Sequence, residues 1–262
     1  MKLVCLAKPV PDPRAALKLL PDASGVDPAG AKLVCDPFDE FALELAVQLK
    51  EKSPAGRDVT VISAGGPACT EVLRHALAMG CDRAVHVQDP GLAAWDELGL
   101  AAVLASAVRA AEPDAGLVLC GKQNIDNDAG ELGPALAEFL GIPHVGAVCG
   151  ATLADDAKSV RVRRRVEGAE ETFEVLLPAL LTIEKGLVEP RRPAIARIMK
   201  AKSQPITALA PGSLAGVAAR GGAPSRTLGL PASRPACAYL TGEPGDVARE
   251  LVRRLRDEAR VL

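Results

Sequence analysis

The stretch of this sequence best suited to chemistry is Gly121-Lys122-Gln123-Asn124-Ile125-Asp126-Asn127-Asp128-Ala129-Gly130-Glu131-Leu132-Gly133-Pro134. It runs from an apolar segment into a helical pattern, and the free N–H groups and dipole of a helix start favour an anionic phosphate. That points to a nucleotide, although a solvent loop whose Asn and Asp residues cap turns has the same composition. Three further stretches are rich in small or backbone-presenting residues: Leu6-Ala7-Lys8, Asp36-Pro37-Phe38-Asp39 and Ser63-Ala64-Gly65-Gly66. Other chemistries lack their residues. No G-x-G-x-x-G follows the first apolar run, and no G-x-x-x-x-G-K-[ST] occurs, which removes the ordinary dinucleotide and P-loop classes. There is no G-x-S-x-G elbow and no serine or cysteine in a context that suggests activation by histidine. Asp126 and Asp128 read as loop caps rather than paired acids, and His75, His86 and His144 lack metal-ligand spacing. No catalytic residue and no metal are expected.

Positioning four such loops together requires elements that alternate. Short apolar runs at residues 2–7, 58–63, 83–87, 116–120 and 145–149 read as buried strands. Between them lie helical patterns: one opening at Pro37 behind Asp36 as N-cap, then 68–79, 92–111 and 130–140. A β-α-β-α-β-α-β-α-β order implies a doubly wound, mostly parallel sheet with helices on both faces, whose ligands sit beyond the carboxyl ends of the strands. After Gly150 the pattern changes. Residues 160–166 alternate Val with Arg and 172–182 form a second extended run, together read as an antiparallel strand pair. Residues 211–245 hold twelve Gly or Pro among 35, which reads as an extended arm outside the core. A last amphipathic helix follows, with Ala248, Leu251, Val252, Leu255 and Ala259 on one face and five arginines on the other; it docks either on its own domain or on a partner. The expected division is an α/β nucleotide-binding domain over 1–205 and an arm with a docking helix over 206–262.

Bulk properties agree. With 262 residues, 48% hydrophobic and 24% charged, at a formal charge of −2, the chain can bury a large core and has no polyanion-binding excess of base. Six scattered aromatics form no stacking platform for bases, so no nucleic acid partner is expected. The longest apolar runs fall short of the roughly 18 residues of a membrane span, and the first is shorter than a secretory core of roughly 7–15. Seven cysteines without a C-x-x-C pair suit a reducing, cytoplasmic setting.

Several motifs together resemble the beta subunit of electron transfer flavoprotein, over nearly the whole chain. They are Val-Cys-Leu-Ala-Lys-Pro-Val-Pro-Asp (4–12), Asp-Pro-Phe-Asp-Glu (36–40), Ala-Leu-Ala-Met-Gly-Cys-Asp-Arg-Ala (76–84), Gly-Lys-Gln-Asn-Ile-Asp-Asn-Asp (121–128), Leu-Val-Glu-Pro-Arg-Arg-Pro (187–193) and Ile-Met-Lys-Ala-Lys (198–202). The resemblance implies an adenine nucleotide alpha hydrolase-like fold and a heterodimer with an alpha subunit that makes most contacts to a redox-active FAD. It also implies electron transfer from flavin dehydrogenases, such as the acyl-CoA dehydrogenases of fatty acid oxidation, to a membrane quinone oxidoreductase. The chain itself would be an electron-carrier subunit rather than an enzyme. By the same resemblance it binds AMP, or a second FAD as in electron-bifurcating members, through Leu6, Ala7, Asp36, Pro37, Phe38, Asp39, Ala64, Gly121, Lys122, Gln123, Asn124, Ile125, Asp126, Asn127, Asp128, Ala129, Gly130, Glu131 and Leu132. A recognition loop anchors dehydrogenases through a leucine, here placed at an exposed Leu187 beside Glu189 and Pro190. Arg163 to Arg165 lie where the strand pair approaches the flavin domain in this family, although an arginine-rich strand face is usually just solvated. Two departures bear on the nucleotide. Bifurcating members carry Thr-Ala-Gln-Val-Gly-Pro where this chain has Ala129 to Pro134, and Asp-Thr where it has Asp96-Glu97. The added charge of Glu131 favours AMP, whereas Gly133-Pro134 and the last helix favour the bifurcating group. The rival from another class is a stand-alone adenine-nucleotide enzyme or sensor of the same fold. Such an enzyme needs Ser-Gly-Gly-x-Asp-Ser after the first strand, where this chain has Leu6-Ala7-Lys8-Pro9, and a sensor needs no arm or final helix.

Overall fold

The computed structural model describes residues 1–16, 18–27, 31–52, 57–214, 227–234 and 236–262. Within Met1–Thr227, β1 (Lys2–Leu6) is the fourth strand of a nine-stranded sheet among the described residues. The chain passes from β1 through α1 (Pro37–Glu51) to β4 (Asp58–Gly65), and through α2 (Cys69–Met79) to β5 (Arg83–Gln88). It then returns through α3 (Glu97–Ala111) to β6 (Ala115–Gly121) on the other side of β1, and α4 (Leu132–Leu140) leads to β7 (His144–Leu153). Cys5 pairs in register with Val61 on one side and Leu119 on the other, both parallel. The strand order therefore reverses at β1, which opens a crevice at the carboxyl ends of β1, β4 and β6.

Strand alternation builds the two layers. Leu3 and Cys5 of β1 pack with α1 and α2, while Val4 and Leu6 face α3 and α4. The helix starts follow local chemistry. Asp36 accepts the Phe38 N–H at 2.9 Å, Pro37 opens α1, and Asp39 and Glu40 meet the positive end of its dipole. α4 ends at Gly141 with φ +71°, where a side chain would strain the backbone.

Three expectations change. The run 172–182 is not one strand. β8 (Ser159–Val166) and β9 (Ala169–Leu176) form the antiparallel pair at the sheet edge, and after Pro178 the chain enters the interior as β10 (Ala179–Ile183). β10 lies between β6 and β7, parallel to both, because all five of its residues are buried and suit a strand covered on both faces. The helix expected over 92–111 divides into a 3₁₀ turn, Pro90–Ala94, and α3, since Asp96 takes the Gly99 N–H at 2.7 Å and starts a new helix. Leu214, placed by composition in the arm, is buried in the α3/α4 layer.

Four elements carry weak sequence signals: β2 (Pro9–Pro11) paired with β3 (Leu33–Cys35), α5 (Ile195–Ser203), and β11 (Ile206–Leu209), which extends the sheet beside β5 from residues that the sequence reading assigned to the arm. Residues 215–226 and 235 of the expected arm lie outside the described residues. In a second unit, Leu228–Leu262, the regular element among the described residues is α6 (Pro244–Asp257), which has no buried residue and leaves Leu251 and Val252 exposed.

Candidate functional site

A cavity of 390 Å³ opens where the strand order reverses. That is within the range of roughly 300–1,000 Å³ found for small-ligand sites. The loops after β1, β4 and β6 and the first turn of α1 all reach it, which brings together thirteen of the residues expected at a nucleotide site: Leu6, Ala7, Asp39, Ala64, Gly121, Lys122, Gln123, Asn124, Asp126, Asn127, Ala129, Gly130 and Leu132. Asp36, Pro37, Phe38, Ile125, Asp128 and Glu131 lie outside its lining.

Two buried carboxylates hold the rim together. Asp39 accepts the Lys8 N–H at 2.9 Å through one oxygen and the Gly121 N–H at 2.8 Å through the other, which ties the first turn of α1 to the loops after β1 and β6. Asp36 accepts the Ile125 N–H at 2.8 Å with the oxygen that does not cap α1. Burial, with Asp36 adding like charge, pushes the Asp39 carboxyl up to about 7. Burial also raises Asp36, with Asp126 contributing repulsion. The approach is close enough to require glycine: a Cβ on Gly121 would stand 2.6 Å from Phe38 Cβ and 2.9 Å from its carbonyl carbon.

The cations of the rim are paired. Lys8 Nζ is 2.9 Å from Asp126, and Lys122 Nζ is 2.8 Å from Glu184, just beyond β10. The wall opposite α1 comes from the 3₁₀ turn and α3 through Leu92, Ala93, Trp95, Glu97, Leu100 and Leu104, and sequence reasoning missed it. The single tryptophan beside the capping Asp96 was the available signal. Glu97 Oε1 accepts from Asn124 Nδ2 and Asn127 Nδ2, each at 3.0 Å. Small residues such as Ala7, Ala64, Gly65, Gly66, Gly121 and Gly130 leave backbone accessible to a ligand, and the first turn of α4 supplies N–H groups without intrahelical partners. An adenylate fits this donor set: apolar walls for a base and main-chain N–H groups for one phosphate.

Leu187, expected to be exposed, is half-buried and packs against the core. Glu189 is exposed and Pro190 half-buried. The segment is pinned by Arg191, whose guanidinium forks onto Glu44 at 2.8 and 3.0 Å and onto Glu51 at 2.6 and 2.9 Å, both on α1. Large apolar exposure comes eight residues after Leu187, on α5, where Ile195 is 80%, Met199 60% and Ile198 41% exposed. α5 is held to α2 by Arg74, which donates to the carbonyls of Ala201 and Gln204. Arg163 and Arg164 pair with Glu170 and Glu171 across the β8–β9 hairpin, the behaviour of a solvated strand face. Among the described residues no His, Cys, Asp and Glu cluster has metal-binding geometry, and no helix is long and apolar enough to cross a membrane.

The fold and the cleft define a wound α/β protein with a backbone-rich ligand crevice at its switch point. The electron transfer flavoprotein domain family matches residues 25–214. The electron transfer flavoprotein subunit beta of Bacillus subtilis is 36% identical over 248 residues, covering 94% of each chain. The human subunit beta is 38% identical over 82% of this chain and 83% of its own, and a mitochondrial subunit beta of Oryza sativa is 36% identical over the full length of both. The chain belongs to the electron transfer flavoprotein family, among its beta subunits.

Proposed function

We propose that this chain is the beta half of a heterodimeric electron carrier, that its crevice holds AMP, and that an alpha subunit supplies most contacts to FAD. The crevice carries the reading: three loops rich in small residues, with Asp39 from the first turn of α1, converge on one cavity at the switch point, where a wound sheet binds nucleotides. Flavin supplies the electron chemistry when bound. This chain's residues hold the adenylate, shape one side of the flavin environment and present a docking surface; none carries a catalytic role. Electrons pass from flavin dehydrogenases, acyl-CoA dehydrogenases among them, to a membrane quinone oxidoreductase, and the buried free cysteines suit a reducing compartment such as the cytoplasm. Acid extraction of the purified heterodimer tests the reading. It is expected to release about one flavin and one AMP per pair, the stoichiometry of one large and one small site. Two flavins and no AMP would replace it with the bifurcating alternative.

Docking is assigned to the segment from Leu187 through α5, with Ile195 as its apolar anchor, because Ile195 is mostly exposed and Leu187 is half-covered. Ile195→Ala is expected to slow reduction by a dehydrogenase about tenfold, the scale of one lost interface anchor, with flavin content unchanged. Equal rates in stopped-flow reduction would remove the anchor.

A further inference from the structure

We infer that Glu97 sets which nucleotides the crevice admits, selecting a nucleoside monophosphate and rejecting ligands with a second phosphate. The inference rests on the nucleotide reading of the crevice and adds a specificity residue to it.

Glu97 is the first residue of α3, fixed there by the Asp96 cap, and only 9% exposed. Its Oε1 takes one N–H from each of two side-chain amides, Asn124 and Asn127, both on the loop between β6 and α4. Two consequences follow. A carboxylate stands on the crevice wall beside the loop that would receive phosphate. Each amide gives one of its two N–H groups to Glu97, which fixes its orientation towards the carboxylate. The remaining charges do not offset it. Lys8 and Lys122, the cations of the lining, are bound to Asp126 and Glu184. No Lys, Arg or His forms an ion pair with Glu97 among the described residues. Anion binding in the crevice therefore relies on N–H dipoles rather than on an unpaired lysine, and such partial charges suit one phosphate. A second phosphate adds negative charge beside a fixed carboxylate, and like charges at a partly buried protein site repel more strongly than in bulk water. The same rule disfavours a dinucleotide joined by a diphosphate.

The test uses the purified heterodimer, with bound nucleotide removed, titrated calorimetrically with AMP and with ADP. Wild type is expected to prefer AMP by about tenfold or more, the scale of one charge–charge repulsion in a partly buried site. Glu97→Gln keeps a carbonyl acceptor for the asparagines and removes the charge, so the preference is expected to shrink about tenfold while AMP still binds. Glu97→Asp keeps the charge and is expected to retain the preference. An unchanged ADP-to-AMP ratio in Glu97→Gln overturns the inference, as does an equal loss of discrimination in both variants, which would make loop geometry the cause. If stripping denatures the protein, mass spectrometry of the nucleotides released by acid from each variant as purified gives the same comparison: ADP alongside AMP in Glu97→Gln supports the charge role, and AMP alone opposes it. A wild type that binds neither nucleotide fails the nucleotide reading itself, whereas one that binds both equally fails only the role of Glu97.

Discussion

Asp39 shows how one residue can set the shape of a site without touching ligand chemistry. Its two oxygens hold the N–H groups of Lys8 and Gly121, so the gap between the loops after β1 and β6 is the width of one carboxylate. The carboxyl titrates near 7 in the fold, against about 3.9 for an unfolded aspartate. The folded state thus holds the proton more tightly. The stability this contributes is complete below about pH 4 and is lost as pH rises towards 7. Asn cannot titrate. The unfolding free energy of wild type minus that of Asp39→Asn is therefore expected to fall between pH 4 and 7, measured by urea denaturation at each pH, and a constant difference would show that Asp39 does not titrate in this range. Glu97 also ties elements together: its Oε1 accepts an N–H from Asn124, which links the start of α3 to the loop after β6.

At the scale of elements, the packing of α4 on β10 decides where the loop from β6 points. A Cβ on Gly133 would come within 2.2 Å of Thr182 Cγ2, so helix and strand approach as closely as glycine allows. Gly133→Ala is expected to push α4 outward and cost about 1–3 kcal/mol, the usual penalty for overpacking. Urea unfolding would register this as a lower midpoint, and an unchanged midpoint would mean that α4 shifts freely. The docking segment is likewise an element-level device. Glu184 reaches the crevice through Lys122, Arg191 clamps onto α1, and α5 is fastened to α2. The proposed anchor Ile195 therefore stands on a braced helix rather than on a free loop, which lowers the ordering cost of association.

For the whole molecule, the chain divides into Met1–Thr227, with the sheet and both helical layers, and Leu228–Leu262, whose helix buries nothing. Truncation after Thr227 is expected to leave the melting temperature within about 3 °C, the shift expected from losing less than about 1 kcal/mol; a larger drop by calorimetry would give the second unit a part in stability. The sequence by itself determined the wound sheet through β6, the presence of an antiparallel strand pair after Gly150, three of the rim loops and the family, because these follow from local periodicity, caps and short motifs. Asp36 with Pro37 announced α1, and the run from Gly121 announced a strand-to-helix loop. Three features were decided only by the tertiary structure. Residues 179–183 look the same in sequence as the end of an edge strand, and only pairing with β6 and β7 sends them to the centre. Leu187 and Ile195 are both apolar residues near a proline-rich turn, and only packing buries half of one and exposes the other. Glu97 lies 27 and 30 positions before the asparagines it holds. A hydrogen bond of that separation has no local signature, since its partners meet only when the start of α3 and the loop after β6 reach the same end of the finished sheet.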